Sequence, residues 1–216
     1  MSKIKYTKCV IILGGSFNPV HLGHYEILLS TKTHVESLGM HVVGVHMAVS
    51  TDTWVQNKCK EEALPFEHRR EICKAGTNEE KYKSVTVGEK PYRSAIGMFE
   101  DIYGFDNDLA LYIVQGEDKL KPHYKNSNKG KIRNVYISRS VDNSKTKPKS
   151  IVDKMHCAVK PELSSTVLRD ILRGSSSGFT DKVERLLNAK IINGPIAKWI
   201  VDNKEMLHRS NPVLFF

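Results

Sequence analysis

Short apolar runs alternate with segments of helical spacing along the chain. Runs with the length and composition of buried strands cover residues 8–13, 42–49, 84–87, 109–114, 132–138 and 154–159. Apolar positions three and four residues apart predict helices over residues 21–38, 66–75, 92–103, 165–172, 181–189 and 196–206. Residues 51–63 are polar with little pattern, and we predict a mobile loop there.

The alternation of strands and helices predicts an α/β fold. This order builds right-handed βαβ units and hence a parallel sheet with helices on both faces. We therefore expect a Rossmann-like, doubly wound sheet in a single domain over residues 1–216, with the C-terminal helices, about residues 165–210, packed on it. Ligands bind such sheets beyond the carboxyl ends of the strands. The residues that follow the strands are therefore the first candidates for chemistry.

The formal net charge of +9 limits the classes of partner that suit the protein but does not identify one. A positive field suits a nucleic-acid or membrane surface, or an enzyme whose substrates are polyanions. The lysine-rich stretches at residues 119–131 and 145–154 lack the interleaved aromatic residues of a base-stacking surface. No apolar run approaches the ~20 residues of a membrane span, and four scattered cysteines are typical of reduced thiols. We expect a cytoplasmic protein, with the nucleus as an alternative, and neither a membrane nor a nucleic acid as partner.

The first strand runs into Gly14-Gly15-Ser16-Phe17-Asn18-Pro19 and then into a helix that begins near His21. Glycines allow the backbone to approach a ligand closely, and the free amides of a helix N-terminus favour an anion. His21 and His24 share one face of the first helical turn, where both can donate hydrogen bonds to a phosphate. The alternative is a tight turn with a histidine-capped helix. The string matches neither a Walker A loop nor G-x-G-x-x-G.

Two further strand ends carry polar residues. After the last strand, Ser164 or Ser165 can cap a helix, and Arg169 lies one turn into it, which predicts a polyphosphate cradle. After the strand at residues 109–114 comes Gly116-Glu117-Asp118, whose carboxylates could accept ribose hydroxyls. In isolation, the first segment is better explained by an ordinary N-cap with a solvated arginine, and a capping aspartate explains the second segment equally well.

The three segments together resemble one enzyme superfamily. The string G-G-S-F-N-P-x-H-x-G-H at residues 14–24 resembles the signature of the HxGH nucleotidyltransferases. Its G-G-S-F-N-P form is similar to that of nicotinamide or nicotinate mononucleotide adenylyltransferases. Residues 163–169 resemble the I-S-S-T-x-x-R element of these enzymes, with leucine for isoleucine, and residues 116–118 resemble their G-x-D element.

The resemblance implies an adenylyltransferase that joins ATP to nicotinamide or nicotinate mononucleotide, giving NAD or deamido-NAD and pyrophosphate. The implied catalytic residues are His21, His24 and Arg169. The implied ATP-binding residues are Gly14, Gly15, Ser16, Phe17, Gly23, Gly116, Asp118, Ser164, Ser165 and Thr166. The partners expected are ATP and a pyridine mononucleotide, with Mg²⁺ as cofactor held by the phosphates and water rather than by a protein metal site.

The acceptor side of the site is less specific. The candidates to bind the acceptor are Asn18 in the signature turn and Tyr92 before the middle helix. After Asp118, the candidate is Tyr124 or His123. Two rival functions remain: another HxGH adenylyltransferase, for example one acting on phosphopantetheine, and a non-catalytic basic protein that binds nucleotides or RNA.

Several other features are assigned structural or surface roles. Residues 68–70 on the second predicted helix favour a solvated face over a substrate clamp, and His34, His41 and His46 are expected to be incidental. Assembly into a homo-oligomer is left open. The apolar tail at residues 211–216 could dock on the body of the protein or at a subunit contact.

Overall fold

The computed structural model describes residues 7–104, 108–116, 132–138, 153–156, 163–173 and 178–214. Six strands lie in this part of the chain: β1 Lys8–Gly15, β2 His41–Val49, β3 Val85–Val87, β4 Leu109–Gly116, β5 Ile132–Ser138 and β6 Asp153–His156. The helices described are α1 Leu22–Ser37, α2 Asp52–Cys59, α3 Phe66–Gly76, α4 Ala95–Tyr103, α5 Ser165–Arg173, α6 Phe179–Asn188, α7 Gly194–Asp202 and α8 Lys204–Ser210.

The strands form one parallel sheet in the order β3-β2-β1-β4-β5-β6. The order reverses between β1 and β4, which pair directly, with Leu13 opposite Val114. Because chain connections leave this point in opposite directions, a crevice opens there beyond the carboxyl ends of the strands. The fold is therefore the Rossmann-like, doubly wound sheet that the sequence predicts, and its switch point lies at the end of β1.

Both faces of the sheet are buried, and β1 shows why its apolar run is continuous. Cys9, Ile11 and Leu13 face a core shared with α1, α3 and the C-terminal helices, whereas Val10 and Ile12 face a second core under α4. Alternate residues of a strand point to opposite faces, so a strand covered on both sides needs apolar residues at every position. The C-terminal segment belongs to the first core, to which it contributes Leu168, Ile196, Leu207 and Leu214.

Two predicted elements are wrong. The segment predicted as a mobile loop contains α2 and a short 3-10 helix, Lys60–Glu62. Tertiary contacts hold α2, because Val55 is fully buried and the Asp52 carboxylate accepts a hydrogen bond from Arg69 at 2.7 Å. The helix predicted over residues 196–206 is two helices separated at Asn203, whose side chain donates to the Trp199 carbonyl at 2.8 Å. The backbone N–H of Asn203 donates to the same carbonyl at 3.1 Å, and the two helices are separated by the non-helical backbone angles of Asn203, φ −109° and ψ 16°.

His46, expected to be incidental to the site, has a structural role. Its Nδ1 contacts the Thr86 hydroxyl, and its Nε2 lies 2.7 Å from the Tyr103 hydroxyl, so that it ties β2 to β3 and α4. Burial lowers the pKa of His46 from 6.5 to about 4. The imidazole is therefore neutral in the folded protein at neutral pH.

We expect His46 to make stability depend on pH. The unfolded chain protonates this histidine below its ordinary pKa while the folded protein does not, so its contribution is complete above pH 6.5 and is lost as the pH falls towards 4. By this linkage the free energy of unfolding falls by about 2 kcal/mol between pH values of about 7.5 and 5. Urea unfolding of the wild type and of His46→Gln checks this: the variant should lose that part of the pH slope, and an unchanged slope contradicts it.

Candidate active site

The turn after β1 is built on a closely packed phenylalanine. Phe17 has a positive φ of 45°, a conformation that costs a non-glycine residue energy and recurs at functional sites. Its side chain is buried, and the ring lies beneath Gly15. Gly14 is exposed and Ser16 is half-buried. Of the residues predicted to bind ATP here, Phe17 can therefore reach a ligand only through its backbone.

Two histidines stand at the N-terminus of α1. His21 is the N-cap residue and is buried, His24 is half-buried, and their ring centroids are 3.8 Å apart. The His21 backbone N–H donates to Nδ1 of His24 at 3.2 Å. A ring nitrogen that accepts a hydrogen bond carries no proton, so the neutral His24 ring carries its proton on Nε2. The helix cap thus makes Nε2 of His24 a donor beside the positive end of the α1 dipole.

The glycine pair offers a test in which two adjacent residues give opposite results. A Cβ on Gly14 would meet nothing within 4 Å, whereas a Cβ on Gly15 would lie 2.9 Å from Cζ of Phe17. Neither backbone is in the left-handed region, so alanine is allowed at both positions on conformational grounds.

We expect Gly14→Ala to keep its stability and lose activity by about tenfold or more, because its methyl group stands where the ligand must approach. Gly15→Ala should instead lose about 1–3 kcal/mol of stability through overpacking. Thermal melting and steady-state turnover of both variants measure these effects. Full activity in Gly14→Ala would remove the argument for close approach.

The N-terminus of α5 is bonded to the signature turn. The Ser164 hydroxyl accepts from the Val167 N–H at 3.1 Å and so caps α5, while the Ser165 hydroxyl donates to the Pro19 carbonyl at 2.8 Å. Arg169 donates from Nη1 to the Asn18 carbonyl at 2.7 Å. The structure therefore brings the first and last predicted motifs together at one helix-lined edge.

Arg169 is also held by a carboxylate that the sequence did not single out. Its Nε donates to Oε2 of Glu62 at 2.8 Å, and Nη2 lies 3.3 Å from the Thr166 hydroxyl. Glu62 ends the 3-10 helix in the segment that was predicted to be a loop. Nothing in the local pattern distinguished it from the neighbouring charged residues, because its partner lies more than a hundred positions away.

The third predicted cluster is described only in part. Gly116 ends β4 and pairs with Ile137 of β5. Two strands, β5 and β6, lie between β4 and that side of the sheet. The carboxyl end of β4 lies beside that of β1, because Leu13 pairs with Val114. Asp118, His123 and Tyr124 lie outside the described residues. The ribose role of Asp118 and the acceptor role of Tyr124 stay predictions.

Arg69 is misassigned by the sequence pattern. It was predicted on a solvated face, but it is fully buried. Its guanidinium donates to three carbonyls, those of Ser16, Ser50 and Leu64, at 2.8–2.9 Å, and to Asp52. Arg69 thus joins the signature turn, the end of β2 and the entry to α3. Its spacing from the buried residues Phe66, Ile72 and Cys73 was the missed signal, because all four share one helical face.

A family model described as cytidylyltransferase-like matches residues 12–171, which contain the signature turn and Arg169. The chain belongs to this family. It is therefore a nucleotidyltransferase, as the resemblance of its signature to the HxGH enzymes implies. No curated protein sequence matches the chain.

Solved structures share the fold at low sequence identity. Nicotinic acid mononucleotide adenylyltransferase from Plasmodium falciparum, complexed with NaAD, has a TM-score of 0.60 and 16% identity, with 95% of this chain and 99% of that chain covered. The same protein complexed with APC has a TM-score of 0.58, with equal identity and coverage. A putative nicotinate-nucleotide adenylyltransferase from Vibrio parahaemolyticus has a TM-score of 0.54 and 15% identity, covering 90% and 93% of the two chains.

Asn18 and Tyr92, the described residues predicted to bind the acceptor substrate, have side chains that are hydrogen-bonded within the protein. The Asn18 amide donates to the Glu62 carbonyl and accepts from the Leu64 N–H, each at 2.7 Å. Tyr92 is buried in the second core, and its hydroxyl donates to Asp101 at 2.9 Å. Burial raises the pKa of Tyr92 to about 12. The acceptor roles of Asn18 and Tyr92 stay predictions. An exposed aromatic ring is carried by Trp54 on α2, the helix that follows β2.

Gly23 is the second residue of α1 and is buried, so the helix can start close against its neighbours.

Across the part of the chain that the structure describes, no three His, Cys, Asp or Glu side chains are grouped as metal ligands. Within the same residues, no helix is both long and apolar enough to cross a bilayer. The described edge thus offers amides, imidazoles, hydroxyls and a guanidinium, which are groups that recognise phosphate.

Proposed function

We propose that this nucleotidyltransferase is an adenylyltransferase of NAD synthesis, which joins ATP to nicotinate or nicotinamide mononucleotide. The observation that supports it most directly is the 2.7 Å hydrogen bond from Arg169 to the Asn18 carbonyl. That bond fastens α5, with its capping hydroxyls, to the turn that carries both histidines. Donors for two ends of a triphosphate are therefore held in one rigid unit.

The reaction proposed needs no side-chain nucleophile. An oxygen of the mononucleotide 5′-phosphate, already anionic at neutral pH, forms a bond to the α-phosphorus of ATP. The bond from that phosphorus to the bridging oxygen of the β-phosphate breaks in line, and pyrophosphate leaves with the electron pair. The protein contributes position and stabilises the charge that develops on the phosphate oxygens.

The side chains divide this work by their place on the two helices. The Nε2–H of His24 and the amides at the start of α1 would donate to oxygens of the α- and β-phosphates. Arg169 and the first turn of α5 would hold the leaving pyrophosphate. ATP would enter as its magnesium complex. Phosphate oxygens and water would hold most of the coordination positions of the ion, as is usual for Mg²⁺.

Pyrophosphate release tests the function directly. The protein is incubated with Mg²⁺–ATP and, separately, with nicotinate mononucleotide, nicotinamide mononucleotide and phosphopantetheine. Turnover with a mononucleotide and none with phosphopantetheine is the expected result, and the ratio of kcat/KM for acid and amide gives the preference between them. Turnover with phosphopantetheine alone contradicts the proposal. Binding of RNA without any turnover, falling steeply with added salt, indicates a binding protein instead.

A further inference from the structure

One carboxylate joins the two arginines of α5. Oε2 of Glu62 lies 2.8 Å from Nε of Arg169, and Oε1 lies 2.8 Å from Nη2 of Arg173. The Glu62 and Arg169 side chains are mostly buried, with 20% and 13% of their surface exposed. We propose that Glu62 is a positioning residue, which orients the Arg169 guanidinium for the polyphosphate. The inference rests on the proposed function, since it assumes that Arg169 binds ATP.

The hydrogen bonds of Arg169 define what Glu62 leaves available. Arg169 donates through Nε to Glu62, through Nη1 to the Asn18 carbonyl and through Nη2 towards Thr166. A guanidinium has five N–H groups, so within the described residues one N–H on each terminal nitrogen is left for a ligand. Glu62 binds Nε and leaves these two terminal N–H groups as the donors that a ligand can use. Two parallel donors on one guanidinium suit an oxyanion.

The charges around α5 nearly cancel, so the orientation of the Arg169 N–H donors matters more for polyphosphate binding than the net charge of the cluster. Glu62 and Asp170 balance Arg169 and Arg173, because Asp170 also pairs with Arg173 at 2.6 Å. A balanced cluster attracts a polyphosphate mainly through aimed N–H donors rather than through a positive field. A pure charge effect would have the opposite sign: loss of the Glu62 carboxylate would then tighten ATP binding. The two explanations therefore predict different results for the same substitution.

The segment that carries Glu62 is anchored on both sides. The Asn18 amide donates to the Glu62 carbonyl at 2.7 Å and accepts from the Leu64 N–H. From the other side, the Asn211 amide donates to the Glu61 carbonyl at 2.9 Å. Asn18 and Asn211 are both buried. A carboxylate fixed in this way can hold an arginine in one orientation without the loss of rotamer freedom at the moment of binding.

A double-mutant cycle between Glu62 and Arg169 tests the inference. The variants are Glu62→Ala, Glu62→Gln, Arg169→Ala and the double Ala variant, and the readouts are kcat, KM for ATP, and ATP affinity by calorimetry without acceptor. Glu62→Ala should lower kcat/KM for ATP by about 10- to 100-fold and weaken ATP binding. Glu62→Gln, which keeps an oxygen acceptor for Nε, should restore most of the loss. In the Arg169→Ala background, Glu62→Ala should change none of the three readouts by more than about twofold.

Glu61→Gln is the matched control, because it removes the same charge from the same 3-10 helix. Glu61 is exposed and makes no ion pair with a described residue. It should behave as the wild type, and thermal melting of every variant separates misfolding from misplacement. Tighter ATP binding in Glu62→Ala and Glu62→Gln, or an undiminished effect of Glu62→Ala without Arg169, overturns the inference. If no mononucleotide is a substrate but ATP binds, the proposed function fails, while the affinity cycle still decides the role of Glu62.

Discussion

The variant His24→Asn is expected to lose about 10²–10³ in kcat, the usual cost of one missing donor to a charged transition state. His24→Gln should lose far less. An asparagine oxygen can take the place of Nδ1 and accept the His21 N–H, which keeps the helix cap but leaves no donor at the position of Nε2. A glutamine nitrogen reaches that distal position and can donate there. Initial rates of pyrophosphate release at saturating substrates measure the difference.

The comparison separates the missing donor from the lost ring contacts. Both substitutions remove the ring contacts with Phe17 and His21, so any loss that these contacts cause is common to the two variants. Equal melting temperatures would confirm that they fold alike. Should His24→Asn be as active as His24→Gln, the Nε2–H has no part in the reaction, and the mechanism loses its main electrostatic element.

Arg69→Met is expected to lower the free energy of unfolding by at least about 3 kcal/mol, because it leaves buried acceptors without donors. Methionine fills much of the volume but donates no hydrogen bond to the carbonyls of Ser16, Ser50 and Leu64. Arg69→Lys should recover little of the loss, since one ammonium nitrogen cannot stand at the three positions from which Nε, Nη1 and Nη2 of the guanidinium donate. Urea unfolding followed by circular dichroism gives both values.

The adjacent arginine provides the control for this prediction. Arg70 is more exposed, at 20% of its side-chain surface, and it pairs with Glu67, Glu71 and Glu89 around the outside of α3. Arg70→Met should therefore change the free energy of unfolding by less than about 1 kcal/mol. An equal loss in the two variants would mean that α3 tolerates neither substitution, and that the carbonyl contacts of Arg69 are not the cause.

The sheet was predictable because its information is local. Continuous apolar runs and intervening helical spacing describe strands buried on both faces, and the Gly14-Gly15 turn indicated where the first strand ends. The same local pattern failed at α2. That helix is held by a buried valine and by the contact of Asp52 with Arg69, and neither contact is visible in the spacing of residues 51–63.

The site was predictable in its motifs and not in its internal bonds. The histidine pair and the α5 cap follow from the identity and spacing of residues 21–24 and 164–169. The sequence could not indicate that Ser165 would donate to the Pro19 carbonyl, or that Glu62 would hold Arg169, because these partners come from distant segments. The sequence also could not indicate that the Asn18 amide, whose acceptor role stays a prediction, would be bonded to the chain around Glu62 and Leu64.

Asn211 anchors the segment around Glu62 through the Glu61 and Ala63 carbonyls, and this has a consequence for the order in which a growing polypeptide folds. Asn211 and Glu61 are 150 positions apart, and Arg169 and Asn18 are 151 apart. A nascent chain that has exposed the entire signature turn therefore still lacks both of these hydrogen bonds, which hold the proposed phosphate site together. Contacts of such long range form late and slowly. We therefore expect the proposed nucleotide site to be complete only after residue 211 has left the ribosome.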